Sequence, residues 1–444
     1  MAVAALEEPS TVTSLVARDE PQPAPQPSRR DRLAIPLLVL GMAVSNIGNN
    51  LTAIAAPWFV LVTTGSASRT GVVAATVAFA TMLGGFFGGT VVDRIGFKRA
   101  SIISDLASGF FIALIPTFYY LDMLTFSLLV FLVFMASLLD APGWSARRSM
   151  LPELSRRVGQ PLERSNSIVE IAHSGASFVG PLLGGVLITA MSVASVLYLD
   201  TLGFLISAGI IAVAITMPHT RTAPAADAKK QSIFHESTEG LRFMTREPLL
   251  RAMITVSLFA NVVFTPLFGV AVPVYAKRVF DDPRALGVLI ASFGVGALIG
   301  VLLYGAIGPR VRRYPVFVGG IVLGAASLWL LPATPHLLVS VLGTTAMGIG
   351  LGPTNVMVMT VLQEIVPEGL LGRVTGSLGA MSQMAAPLGL LLAGVAIDWF
   401  GVRPVMFFGA AMFSLIVAAT ISMPVFRRIE RTPAASGTPA TELS

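Results

Sequence analysis

Cysteine is absent from this 444-residue chain. That excludes disulfides, thiolate metal sites and thiol redox chemistry. Histidine is scarce: His173, His219, His235 and His336 stand far apart, so no histidine metal cluster and no metal site are expected. Charge is thin, at 12% of residues, about half the share of a soluble globular protein. No Gly-x-x-x-x-Gly-Lys-Ser/Thr loop is present, which excludes an ATPase built on that phosphate cradle. A His-Glu-x-x-His helix, a Gly-x-Ser-x-Gly elbow and a paired-aspartate motif are missing too, so the chain is not read as an intramembrane enzyme and no cofactor is expected.

What is there is apolar. Hydrophobic residues make up 54% of the chain, and runs of roughly 20 recur along its length, so lipid is the expected solvent. The runs are continuous rather than alternating, which excludes a β-barrel. Twelve spans are expected, at 33–62, 71–92, 101–121, 124–146, 165–190, 195–217, 249–275, 286–308, 315–332, 337–365, 374–397 and 404–426. Basic residues gather in alternate loops, among them Arg94, Lys98, Arg99, Arg147, Arg148, Arg310, Arg312 and Arg313. The opposite loops carry only Arg69, Lys277, Arg278, Arg284 and Arg403. The basic side is expected to be cytoplasmic, which puts both termini there in a bacterial cell membrane. The formal charge of +6 is spread over many loops and reads as membrane topology, not as a nucleic-acid surface.

The expected domains are a disordered tail over 1–32, rich in proline (Pro21, Pro23, Pro25, Pro27), a bundle over 33–217, a linker over 218–248, a second bundle over 249–426 and a tail over 427–444. The tail lacks the basic region and apolar core of a cleavable signal peptide. The halves look related. Glycines crowd the second span and the eighth, and each runs into a basic turn. Gly180 and Pro181 lie inside the fifth span, and Ala386 and Pro387 inside the eleventh. A duplicated six-helix unit fits transporters whose halves rock about a central site. The fold class expected is therefore all-α membrane, with twelve helices in two pseudo-symmetric six-helix bundles.

The most specific motif is the turn after the second span, with Gly89, Asp93, Arg94, Gly96, Lys98 and Arg99. It resembles the signature loop of the major facilitator superfamily. The resemblance implies a conformational latch in which Asp93 engages the start of the eleventh helix near Arg373 and Thr375, and a carboxylate is favoured at a helix N-terminus. A pure topology signal is the other reading. The second-half turn has Pro309 where the aspartate would be. Gly180, Pro181, Gly184 and Gly185 resemble the superfamily's antiporter motif, with Ala176 in place of an upstream glycine; helix packing explains them equally well. The stretch from Asp140 through Pro142, Trp144, Arg147 and Arg148 to Leu151, Pro152 and Glu153 is similar to the bacterial branch of enterobactin-type siderophore exporters and macrolide or multidrug efflux proteins.

Ionisable residues in the spans are the candidates for proton coupling: Glu170, Asp105 and Asp140, with Asp200 a fourth. Ion pairing with Arg99, Arg147 or Arg148 is the rival role. For the cargo, a midplane cavity is expected to use Asn46, Asn49, Asn50 and Trp58 from the first span, Asn261 and Phe264 from the seventh and Gln383 from the eleventh. Asn50 and Asn261 occupy equivalent helices and are placed face to face. The expected activity is export of a hydrophobic or amphipathic small molecule in exchange for protons, by a monomer in the lipid bilayer. Import of a nutrient on the same fold, or a non-transporting receptor or scaffold, are the alternatives.

Overall fold

The computed structural model describes residues 29–216, 246–367, 370, 374, 378, 381 and 383–430, apart from the side chains of 29–31 and 309. Most of the expected tails and linker lies outside the described residues, as do Arg373 and Thr375. Among the described residues every regular element is helical. The first six helices are α1 (Arg29–Thr64), α2 (Ala67–Ile95), α3 (Phe97–Tyr120), α4 (Phe126–Arg157), α5 (Leu162–Ala190) and α6 (Val193–Ala214). After the linker come α7 (Pro248–Phe280), α8 (Pro283–Ile307), α9 (Arg313–Ala333), α10 (Leu337–Ile365), α11 (Ala386–Phe400) and α12 (Val402–Ser422).

Eleven of these are long and apolar enough to cross a membrane, and α11 is described as a 15-residue apolar helix. A helix of 29 residues such as α2 spans about 44 Å, enough for a hydrocarbon core of about 30 Å. Turn chemistry separates the helices. Ser66, Thr125 and Ser192 cap α2, α4 and α6 by accepting a backbone N–H. Gly96, with φ at +86°, makes the turn from α2 to α3 that a side chain would strain. In α7 the ladder loosens into two π-helical turns, Leu267–Ala271 and Ala276–Phe280, around Pro273.

Within the first bundle α1 packs on α5 and α6, α3 on α4 and α6, and α2 on α4. In the second, α8 packs on α10, α9 on α10 and α12, and α7 on α11 and α12. Two helix pairs carry most of the contact between the bundles: α2 with α11, and α5 with α8. Exchanging the halves turns one pair into the other. Apolar side chains such as Phe86, Phe87, Phe110, Leu302, Leu392 and Trp399 are more than half exposed, as residues facing lipid tails must be. The chain is a multi-pass membrane protein of two related six-helix bundles.

Candidate functional site

A chain of polar groups runs through the interior of the first bundle. Asp140 and Arg147 are seven residues apart on α4, close to two turns, and share a face. Arg147 is 1% exposed. Its guanidinium bonds the buried Asp105 of α3 and lies 3.8 Å from Asp140. Ser207 of α6 donates to the other oxygen of Asp105 at 2.7 Å. Asn49 of α1 donates to Asp140 at 3.1 Å. One turn further along α1, Thr52 donates to the buried Asp200 of α6. Gly48 is the residue that lets Asp200 in, because a Cβ there would fall on its Oδ1. One oxygen of Asp140, one of Asp200 and Nε of Arg147 are buried without a hydrogen bond among the described residues. Two carboxylates thus share one guanidinium, and a third, Asp200, is held by Thr52 about one turn further along α1. A charge in such surroundings costs several kcal/mol unless it is paired.

Beside this chain stands an aromatic wall. Asn46 donates to His173 of α5 at 3.2 Å, and His173 lies 5.2 Å, ring to ring, from Trp144 of α4. The Arg148 guanidinium sits 4.8 Å over the Trp144 ring and pairs with Glu170 at 3.2 Å. Glu170 stands outside the interior chain, with 61% of its side chain exposed. The other cargo candidates are dispersed. Asn50 donates to its own helix at Asn46 O and Asn261 to Ser257 O, so the two amides do not meet. Phe264 packs edge-on against Phe413. Trp58 is buried under Lys277, whose nitrogen is 5.4 Å above the ring. Gln383 is exposed.

The two ends of the α2–α11 pair differ. At one end the turn with Asp93 is exposed. Lys98 donates to Ala212 O at 2.7 Å, while Asp93 makes no hydrogen bond or ion pair with a described residue. Gly89 faces open space. At the other end Asp398 of α11 closes over the start of α2. One of its oxygens accepts from the Ser66 hydroxyl at 2.9 Å and from the Ser68 amide and hydroxyl at 2.7 Å each. The second accepts from the Ala67 amide at 3.0 Å and pairs with Arg278 at 2.9 Å. Asp398 lies just past the apolar span expected to end at 397. Partial burial pushes its carboxyl up, but the hydrogen bonds from Ser68, Ala67 and Ser66 outweigh that and hold it well below the usual carboxylate range.

Small residues carry the backbone contacts near this closed end. A Cβ on Gly71 would lie 2.6 Å from Leu390 O, and one on Gly185 2.8 Å from Pro283 O. In the same α5 motif Gly180 abuts Asn50 and Gly184 abuts Ile54, and Pro181 O approaches Gly287 of α8. The motif therefore lies partly against α1 and partly against the other bundle.

The family model described as Major Facilitator Superfamily matches residues 38–282 and again residues 257–443. The chain belongs to this superfamily. Among the superfamily's curated members it is 29% identical over 400 residues to a multidrug efflux pump Tap of Mycolicibacterium fortuitum, covering 89% of this chain and 96% of the relative. It is 23% identical over 407 residues to macrolide efflux protein A of Streptococcus pyogenes, covering 88% and 95%. Among solved superfamily folds a mutant of the nucleoside transporter NupG superposes with a TM-score of 0.73 at 12% identity, over 87% of this chain and 99% of that one. Members of the superfamily are transporters, not enzymes. The sequence left unremarked two residues that the fold brings to these sites, Ser207 and Asp398, and marked Arg278 only as a loop charge. Their signal was polarity inside or at the edge of an apolar span, which alone names no partner.

Proposed function

We propose that this transporter exports a hydrophobic or amphipathic small molecule from a bacterial cell in exchange for protons, by alternating access. The observation that carries the reading is the buried polar chain of Asp105, Asp140 and Asp200, in which Arg147, beside Asp105 and Asp140, is the one buried cation among the described residues. One guanidinium does not neutralise three carboxylates, so the cluster has room to take and release protons. Asp140 is the leading proton carrier, because it shares Arg147 with Asp105 and its oxygen nearest that guanidinium accepts no hydrogen bond. Glu170, exposed and paired with Arg148, is better suited to the cargo path. The relatives named as efflux pumps support the outward direction.

In this reading residues 33–217 and 249–426 move as two bundles within one chain, and the Asp93 turn and both termini face the cytoplasm. The Asp398 contacts then close the outer end while the inner end stands open. Reversal would release Asp398 from α2 and bring Asp93 to the start of the eleventh span, the latch expected from the sequence. The antiporter-like motif of α5 supports the same closure.

Ethidium efflux from energised cells tests the proposal. Efflux that stops when a protonophore collapses the gradient, and that Asp140→Asn abolishes at wild-type expression, is the expected result. Protonophore-insensitive efflux, or net uptake, would defeat it.

A further inference from the structure

We infer that the face of Trp144 and the carboxylate of Glu170 form an entry site for cationic cargo, and that Arg148 is the resident stand-in for that cargo. The inference rests on the reading of the chain as an exporter of amphipathic molecules, and it names the charge class admitted.

Trp144 and Arg148 are four residues apart on α4, so the guanidinium reaches back over the indole face. The same guanidinium bonds Glu170 across to α5. A cation over an indole with a carboxylate at hydrogen-bond distance is the arrangement that recognises organic cations. Here the protein fills it with its own side chain. The pair is solvent-accessible, with side chains 49% and 61% exposed, and it borders a cavity of about 400 Å³ also lined by Leu151, Asn166, Ser167 and Val169. That volume falls in the range of small-molecule sites. His173, bonded to Asn46, also packs against the indole and helps hold it in place.

Displacement is cheap. An exposed ion pair and an exposed cation–π contact each favour the bound geometry by a factor of only about two to five. A planar organic cation therefore competes with Arg148 for the same indole and the same carboxylate, and the released arginine swings into solvent. A buried structural pair would not be released at such low cost. This separates Arg148 from its sequence neighbour Arg147, which is enclosed.

The test is equilibrium binding of ethidium to the purified full-length chain in nanodiscs. Arg148→Ala is expected to tighten binding about threefold to tenfold, by removing the competitor. Glu170→Gln should weaken it by a similar factor, and the double variant should bind no more tightly than wild type. Arg164→Ala removes a nearby exposed positive charge that makes no contact with Trp144, and it should leave binding unchanged. Thermal unfolding of each variant shows that the fold is intact. Unchanged or weaker binding by Arg148→Ala, equal tightening by Arg164→Ala, or no saturable binding by any variant overturns the inference. Efflux of Nile red, an uncharged amphipath, is measured in parallel. Its failure would count against the exporter reading, while a failure confined to ethidium binding would count against the entry site alone.

Discussion

Removing the Asp398 carboxylate should open the end of the molecule at which the bundles now meet. The substitution is Asp398→Ala. Four hydrogen bonds to Ser66, Ala67 and Ser68 cross between the bundles. The Arg278 pair does not, because both partners belong to the second bundle; it aims the carboxylate without adding to closure. Replacing a side chain that caps a helix start by alanine costs about 1 kcal/mol, and a negative charge at that position contributes about 0.3–1 kcal/mol more. Two serine hydroxyls add to this, discounted because they are exposed and water replaces the lost acceptor. A net of about 2 kcal/mol shifts the closed-to-open ratio about 30-fold. The cysteine-free sequence makes the measurement clean: spin labels at Met123→Cys on the α3–α4 turn and Trp399→Cys on α11 report the gap at that end. The expected result is a longer distance gaining population in Asp398→Ala. Coincident distance distributions for the variant and its parent would refute the reasoning.

Three further outcomes are expected. Arg147→Met should lower the thermal unfolding midpoint by the equivalent of about 3–5 kcal/mol, because it strands Asp105 without its counter-charge, and adding Asp105→Asn should restore most of the loss; an additive double variant would contradict the pairing. Gly71→Val places a side chain against Leu390 O, and overpacking of about 1–3 kcal/mol should shift the spin-label distances toward the open form, with no shift counting against the contact. Asp398 is held below the usual carboxylate range, so its contribution is present above the ordinary value of about 4 and is lost only as pH falls through the depressed one. The effect of Asp398→Ala should therefore be the same at pH 8 and pH 5, and a difference that vanishes at pH 5 would contradict this.

The helices were legible because a run of about 20 apolar residues has one stable form in lipid. Partners were less so. Asp105 and Asp140 were readable as proton carriers or as ion-pair partners of nearby arginines, and the fold sets the buried Arg147 between them. Glu170 sits in an apolar span by sequence, yet it emerges into solvent beside Arg148, since that turn of α5 borders a cavity. Asn50 and Asn261 do not need each other, because an amide on a helix can return to the carbonyl one turn back. Asp398 was invisible for a simpler reason: its partners stand about 330 positions away along the chain, and nothing local marks a carboxylate as the cap of a remote helix.

The glycine contacts between the bundles have a mechanical consequence. Where Gly71 meets α11 and Gly185 meets α8, backbone lies against backbone. Such a joint works as a plain bearing rather than a gear. No knob has to leave a hole before one surface rolls over the other, so the halves turn with little friction and no loss of packed side-chain volume. The detent that holds the joint in position is then the ring of serine and amide groups around Asp398. Friction and detent are set by different residues, so the speed of the swing and the preferred resting position are open to separate tuning.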